Sequence, residues 1–508
     1  MKASEPGMSL LFDPAYEPSA ILENLEFTTE REEQTTLSYQ LFDTPDGRLQ
    51  RKGMFLLFQN GSLSLKTIVD SQVIASLQIA EMVRFSDDLP KSSLKKNLKR
   101  ICSMRALLPF VKGVLVTTHY RLRDVREKMI ARLELTSCFV QQGRQKKKVA
   151  AHVQLNSLRG YAGETTEVGE MLKQSEMPLL DRPLAELLLN SYATETVLRS
   201  ETAQLNAEMS SFEAMNELLM VNARAMRQNI DGICRQIDTE FLHDFRVAIR
   251  RTRAALTQLK GILPEKDTEH YRAVFSRLGK RTNRLRDLDV YLLGQEEMTQ
   301  ELLPAIRQDT APLFETLDEE RLIEQKRTTR YLRSKAFQEL LTDWETYLQD
   351  PPGVLPIESS DNIVPLAKRR IWFYYERLIK RGRKIHPSSP DETLHKLRLD
   401  AKKLRYLLEF FQNLFPPTEM RAFISELKKL QNNLGDFQDG SVQIDELLKY
   451  GREVGGSAIR TRKALLASGS LLGQIHARKK VLRKDFDEIF ERFSRSSVRE
   501  RMKNLCKP

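Results

Sequence analysis

One pattern of polar residues occurs twice in this chain, 152 positions apart. The first copy reads His243-Asp-Phe-Arg-Val-Ala-Ile-Arg-Arg-Thr-Arg253, and the second reads His395-Lys-Leu-Arg-Leu-Asp-Ala-Lys-Lys-Leu-Arg405. In both, Arg follows the histidine after three positions, two adjacent cations follow after seven and eight, and Arg follows after ten. Duplicated helices normally keep their apolar positions. A repeat that keeps its basic positions therefore indicates two helices that present the same chemistry to one partner.

Each copy forms an amphipathic helix. Successive residues of an α-helix are rotated by about 100°, so residues three, four or seven positions apart lie on the same face, and the basic side chains form one stripe. The first stripe holds His243, Arg246, Arg250 and Arg253, with Arg251 on its flank. The second holds His395, Arg398, Lys402 and Arg405, with Lys403 on its flank. The opposite faces are apolar, with Phe241, Phe245, Ile249, Leu256 and Leu259 in the first copy and Leu397, Ala401, Leu404, Leu408 and Phe411 in the second.

A charged helix face is most often a solvated surface with compensating acids. Here acids are expected to be scarce on the stripes, because Asp244 and Asp400 lie off them. Like charges three or four residues apart cost a few tenths of a kcal/mol each unless an anion is present. The duplicated stripes therefore predict a polyanion site built from two helices.

The repeat extends over a helical unit of about 140 residues. The segments 278–290 and 427–439 correspond, with Asp287 matching Asp436, and the prolines of 351–356 separate the two halves because paired prolines end a helix. The first half is placed at about 212–350 and the second at about 362–500. Further helices are predicted at 222–236 and 322–348 in the first half and at 366–384 and 465–493 in the second.

Composition excludes several classes of protein. No apolar run is long enough to cross a bilayer, and the first residues lack the apolar core of a secretion signal. The four cysteines are scattered, which predicts no disulfide framework or zinc site and fits the cytoplasm. The net charge of +12 is modest for 508 residues, so the placement of the cations matters more than their sum.

Residues 1–160 have a β-rich pattern instead. Short β-forming segments surround the turn Thr44-Pro-Asp-Gly47, with strands expected at 37–43 and 53–58. Residues 161–194 are predicted to form a helix and linker. The whole chain is therefore expected to be α+β, with an antiparallel β domain before an all-α domain.

The doubled motif, together with Arg286-Asp-Leu-Asp289, resembles the CHAD family, the conserved-histidine α-helical domain, over about residues 195–500. The resemblance implies two pseudo-twofold-related four-helix bundles whose basic groove binds inorganic polyphosphate, in some members on polyphosphate granules. It implies ligand contacts from His243, Arg246, Arg250, Arg251, Arg253, His395, Arg398, Lys402, Lys403 and Arg405. Arg369, Arg370, Arg377 and Lys380 are additional candidates from the preceding helix.

The first domain resembles the CYTH family, the triphosphate-tunnel fold, through Phe42-Asp-Thr-Pro-Asp-Gly-Arg-Leu49, Ser62–Lys66 and Ala131–Leu135. Hydrolases of that family begin with Glu-x-Glu-x-Lys. The nearest candidate here is Glu30-Arg-Glu-Glu-Gln34, with Gln in place of Lys and too little chain before Phe42. This departure indicates a degenerate relative without catalytic activity, and no cofactor or metal is expected.

We therefore expect the chain to bind polyphosphate through the two stripes, with affinity that falls steeply with salt and strengthens below about pH 6.5 as the histidines protonate. Three alternatives stay open. The first is a Mg²⁺-dependent triphosphatase in the β domain, and the second is a nucleic-acid-binding protein, disfavoured because only Tyr406 is an aromatic near the stripes. The third is a granule scaffold whose first domain contacts a protein partner. Candidate metal ligands for the triphosphatase are Asp43, Asp46, Asp124 and Glu134, although Asp43 and Asp46 also suit a turn.

Overall fold

The chain divides into two compact units, residues 1–200 and 201–508, in a computed structural model. The structure describes residues 8–15, 22, 27–174, 179–191, 202–351, 353–453 and 458–506. The first unit is a β-sheet with short helices, and the second is helical throughout the part that is described. The α+β fold class expected from the sequence is confirmed.

The first unit is built on an eight-stranded antiparallel sheet with the strand order β1-β8-β7-β6-β2-β3-β4-β5. Strand β2 is longer than the expected 37–43 because it begins at Thr28, and strand β8 was not expected from the sequence. The strands are β1 Met8–Phe12, β2 Thr28–Asp43, β3 Met54–Gln59, β4 Ser62–Thr67, β5 Val73–Gln78, β6 Leu108–Arg123, β7 Met129–Gln142 and β8 Gln145–Ser157.

Three helices cover the apolar side chains of this sheet: α1 Ser93–Cys102, α2 Ala162–Gln174 and α3 Leu184–Asn190. Leu94 and Leu98 of α1 join the core formed by β3, β4 and β5. Val168 of α2 packs on β7 and β8, and Leu188 of α3 packs on a neighbouring cluster. The segment predicted as a helix and linker therefore contributes two helices to the packing of the sheet, although its Pro178 lies outside the described residues.

The turn after β2 is organised by a buried aspartate. The Asp43 carboxylate accepts hydrogen bonds from the backbone N–H groups of Thr44, Leu49 and Gln50, at 2.6, 2.9 and 3.0 Å. Asp46 pairs with the Arg48 side chain at 2.9 Å. Both carboxylates therefore stabilise the turn, as the sequence suggested for them, and the flanking strands β2 and β3 pair as predicted.

The second unit consists of two halves with the same order of major helices. The first half holds α4 Ser211–Cys234, α5 Thr239–Gln258, α6 Glu265–Arg281, α7 Asn283–Leu293, α8 Gln295–Gln300, α9 Pro304–Arg307, α10 Ala311–Leu332 and α11 Lys335–Gln349. The second half holds α12 Ile363–Gly382, α13 Asp391–Phe410, α14 Pro417–Glu453, α15 Ile459–Phe493 and α16 Ser496–Cys506.

Matching contacts relate the two halves. Helix α4 packs on α5 and α11 in the first half, as α12 packs on α13 and α16 in the second. The prediction of a single helix over 322–348 is wrong, because the helix is interrupted between α10, which ends at Leu332, and α11, which begins at Lys335. There the Ser334 hydroxyl accepts a hydrogen bond from the N–H of Phe337 at 3.3 Å and starts a new helix. The helical periodicity continues across this break and so conceals it.

Candidate functional site

The repeated segments form α5 and α13, and these two helices pack against each other. The Asp238 carboxylate caps α5 by accepting from the N–H groups of Glu240 and Phe241. All ten residues predicted for the two apolar faces are buried. Their burial orients the basic stripes away from the cores of the two halves.

Arg250 and Lys402, which occupy equivalent positions in the two copies, come close together. Burial, followed by the charges of Arg398 and Arg250, lowers the pKa of Lys402 to about 8. Neither Arg250 nor Lys402 forms an ion pair with another described residue, and the buried Nε of Arg250 has no acceptor among them. Arg250 and Lys402 thus lie at the centre of the two stripes without an ion pair to another described residue, although the charge of Asp439 acts on Lys402 from nearby.

Arg246 is held at the edge of this cluster by the junction between α6 and α7. Its Nη1 donates to the carbonyl oxygen of Gly279 and to the hydroxyl of Thr282, both at 3.0 Å. Burial lowers the pKa of Arg246 to about 10; the charge of Asp287 opposes this shift, and the charge of Arg250 adds to it. Arg246 is therefore positioned rigidly, with its remaining donors directed by these two bonds.

In the second copy, α14 positions the first two residues of the motif. The Nδ1 atom of His395 lies 2.7 Å from Oε1 of Gln438, and Arg398 lies 3.4 Å from the carboxylate of Asp439. The Nε of Arg398 is buried without an acceptor among the described residues. His395 is thus engaged by a neutral amide from a neighbouring helix.

A glutamate joins the flanks of the two stripes. Glu409 accepts from Arg251 of the first copy at 3.1 Å and from Arg405 of the second at 2.5 Å. Arg405 also donates to Oε1 of Gln431 at 3.2 Å. The expectation that acids are scarce on the stripes is therefore wrong at Glu409, which stands four residues after Arg405 on the same helix.

Asp400 lies on the other side of α13 and is buried, with 1% of its side chain exposed. It pairs with Arg377 of α12 at 3.2 Å and with Arg381 of the same helix. Burial lowers the pKa of Lys403, which also senses the charge of Asp400 and of both arginines. Arg377 and Lys403 therefore belong to an ionic cluster around Asp400, distinct from the one at Arg250.

The remaining predicted residues are more dispersed. Arg370 donates to the carbonyl oxygen of Lys260, at the end of the first stripe helix, at 3.1 Å. Arg253, Arg369 and Lys380 are exposed. His243 is partly buried on α5. The structure thus brings Arg246, Arg250, Arg398 and Lys402 together, and it places the other candidates around them or apart from them.

One cation of the central cluster was missed as a site residue by sequence reasoning. Arg286 of α7 is partly buried, and burial is the main reason that its pKa is lowered, with Arg250 among its charged neighbours. Two acids, Asp287 and Asp439, border the same cations, and burial raises the pKa of both. The sequence signal that could have indicated Arg286 as a site residue is the motif Arg286-Asp-Leu-Asp289. Its last residue, Asp289, pairs with Arg321 at 2.8 Å.

The acids considered for a metal in the first unit have other partners. Glu30 and Glu32 lie on β2, the second strand described, where they pair with Arg123 and Arg121 of β6. The first strand described, β1, has the sequence Met-Ser-Leu-Leu-Phe and contains no acid. Glu134 lies on β7 with its carboxylate 3.9 Å from Nδ1 of His119. Strand β2 runs from Thr28 to Asp43, so the Glu30–Gln34 segment belongs to the same strand that ends at the Asp43 turn.

Within the described ranges, no helix is both long enough and apolar enough to span a bilayer. The fold and the site together define a duplicated α-helical domain whose two repeated helices bring their cations into one cluster.

A model of the CHAD domain family matches residues 217–448, so this segment of the chain is a CHAD domain. The crystal structure of the CHAD domain from the plant Ricinus communis is similar at 21% identity and a TM-score of 0.49, over 58% of this chain and 96% of that one. PptA from Streptomyces chartreusis is similar at 16% identity and a TM-score of 0.45, over 56% of this chain and 100% of that one. The chain matches none of the curated proteins with which it was compared.

Proposed function

We propose that the chain binds inorganic polyphosphate at the cationic cluster where α5 and α13 meet, as a protein that can associate with polyphosphate granules. The observation that carries the proposal is the pair of equivalent residues Arg250 and Lys402. Both are partly buried, they repel each other, and neither forms an ion pair with an acid among the described residues, although Asp439 lies near Lys402. The match of residues 217–448 to the CHAD domain family, which is linked to polyphosphate binding, supports the same ligand.

A polyphosphate chain suits this cluster chemically. It carries about one negative charge per phosphate, so binding releases counterions and its affinity falls with salt. The guanidinium groups of Arg246, Arg250 and Arg398 can meet two phosphate oxygens at once, while Lys402 acts as a point charge. Each bound phosphate also relieves the repulsion among these cations.

The competing ligand is a nucleic acid, and a competition assay separates the two. Fluorescent long-chain polyphosphate is bound to the full chain and then displaced by single-stranded RNA at equal phosphate concentration. We expect RNA to displace far less than unlabelled polyphosphate does, because bases need stacking platforms and Tyr406 is the single aromatic that the sequence places near the stripes. Equal displacement by the two polymers would contradict the proposal.

The pH dependence of binding should show a step near the pKa of Lys402. That pKa is lowered to about 8, so the ammonium is fully charged below about pH 7 and is lost as the pH rises through 8. We expect polyphosphate affinity to fall by up to about tenfold between pH 7 and 9 at constant ionic strength, the value of one charge-assisted contact.

The control is Lys402→Arg, whose guanidinium stays protonated throughout this range. It should remove the step near pH 8, because no group at position 402 then loses its charge in this range. A step near pH 8 that persists in Lys402→Arg would show that another group causes it.

A further inference from the structure

A second group of cations lines an open surface cavity of about 490 Å³ where α14, α15 and α16 meet. None of the stripe residues lines it. Its lining consists of Glu426, Lys429, Arg492, Arg495, Ser497, Val498 and Arg501. Four of these side chains are cationic and one is acidic, so the cavity has a net positive lining.

Two of the four cations are already paired. Lys429 lies 2.7 Å from the carboxylate of Glu426, and Arg492 pairs with Glu488 one turn earlier on α15. Arg495 and Arg501 form no ion pair with any other residue in the described part of the chain, and the guanidinium of Arg501 lies 5.6 Å from the ring centre of Phe423. Two cations therefore face the cavity without a neutralising acid there.

The internal repeat provides a comparison for this cavity. The junction before α16 corresponds to the junction before α11, because the buried residues Phe337, Leu341 and Trp344 match Val498, Met502 and Leu505 in spacing. Each of these two helices packs on the first helix of its own half. In this alignment the capping residue Ser334 corresponds to Arg495.

The presence of Arg495 where the first half has the serine cap leaves the start of α16 suited to an anion. The carbonyl of Arg495 accepts the first helical bond, from the N–H of Arg499 at 3.0 Å, so Arg495 is the N-cap. An arginine side chain has no acceptor and cannot cap N–H groups, and a cation at the positive end of the helix dipole is unfavourable. The first turn of α16 contains no acid to offset this.

We propose that this cavity is a second anion site, which binds two or three consecutive phosphate groups. Arg495 and Arg501 provide charge-assisted hydrogen bonds, while the hydroxyl of Ser497 and the free N–H groups of the first turn provide neutral donors. The phosphates can come from free tripolyphosphate or from a segment of a longer chain. In a longer chain, two sites on one protein raise the affinity through effective concentration.

The test is calorimetric titration of the full chain with tripolyphosphate, using Arg495→Ser to restore the cap that the first half has. We expect the wild-type chain to bind two equivalents, and Arg495→Ser to bind one of them about tenfold more weakly, the value of one charge-assisted contact. The variant should also unfold at a higher temperature without ligand, because a serine N-cap satisfies an N–H group. A drop in affinity can then not be attributed to misfolding.

Arg462→Ser is the matched control, since it removes one exposed arginine from α15 outside the cavity. Unchanged binding by Arg495→Ser, or an equal loss in both variants, would overturn the second site. This experiment tests the second site independently of the proposed site at the central cluster. A tripolyphosphate equivalent that is lost in Arg250→Ala/Lys402→Ala reports on the first site, and one that is weakened in Arg495→Ser reports on the second. Long-chain polyphosphate should lose affinity in either variant if it spans both sites.

Discussion

Changing Arg250 and Lys402 together to alanine is expected to weaken the binding of long-chain polyphosphate at least about 100-fold, since two charge-assisted contacts of roughly 1.5–3 kcal/mol each are removed. The slope of log affinity against log salt should also become shallower by about 1.4, because each phosphate contact on a single-stranded chain contributes about 0.7. Fluorescence anisotropy at several salt concentrations measures both quantities. The salt slope distinguishes lost contacts from a general weakening.

This variant should fold at least as well as the wild-type chain. Burial and neighbouring cations depress the pKa of Lys402 to about 8, so the protonated lysine destabilises the folded state below that pH. Lys266→Ala/Lys326→Ala is the charge-matched control, since both lysines are exposed on other helices of the same unit. If that control lost as much affinity as Arg250→Ala/Lys402→Ala, the binding would depend on total charge and not on this cluster.

Changing Asp400 to alanine is expected to cost about 3 kcal/mol in the unfolding free energy of the helical unit. Asp400 is buried and neutralises Arg377 and Arg381, so its removal leaves two arginines on α12 facing α13 without their carboxylate. The change is measured by chemical denaturation followed by tryptophan fluorescence. Both tryptophans of the chain, Trp344 and Trp372, lie in the helical unit, so the signal reports on that unit.

The matched control is Asp318→Ala, which removes an exposed acid from α10 and should change the stability by less than about 0.5 kcal/mol. Polyphosphate affinity should not fall in Asp400→Ala, because Arg377 and Arg381 belong to the ionic cluster of Asp400. A stability loss below about 1 kcal/mol would contradict the structural role. A large loss of affinity in the folded variant would place Arg377 back among the ligand contacts.

The helices that carry the site could be predicted from the sequence because their signals are local. In α5 and α13 the apolar residues recur every three or four positions, and all ten that were assigned to the cores are buried. The turn at Asp43 was likewise predictable from a few adjacent residues. The break before α11 was missed because periodicity continues through it and only the cap at Ser334 marks it.

The partners of the cations could not be predicted, because they depend on residues far away in the sequence. Glu409 reaches Arg251 across 158 positions, and Asp400 meets two arginines of a different helix. Arg286 enters the cluster only because α7 packs on α5. A stripe of equivalent basic residues is therefore divided by packing into neutralised and unneutralised members.

The sequence by itself determined that two amphipathic helices carry the same basic pattern, because helical periodicity and duplication can be recognised from residue order alone. Only the tertiary structure decided which of those cations stay without a partner. The energy of a charge depends on its burial and on the neighbouring charges within a few ångströms, and these are supplied by α7, α12 and α14. That is why Arg250 and Lys402 differ from Arg251, Arg405 and Lys403, although all five belong to the same repeated motif.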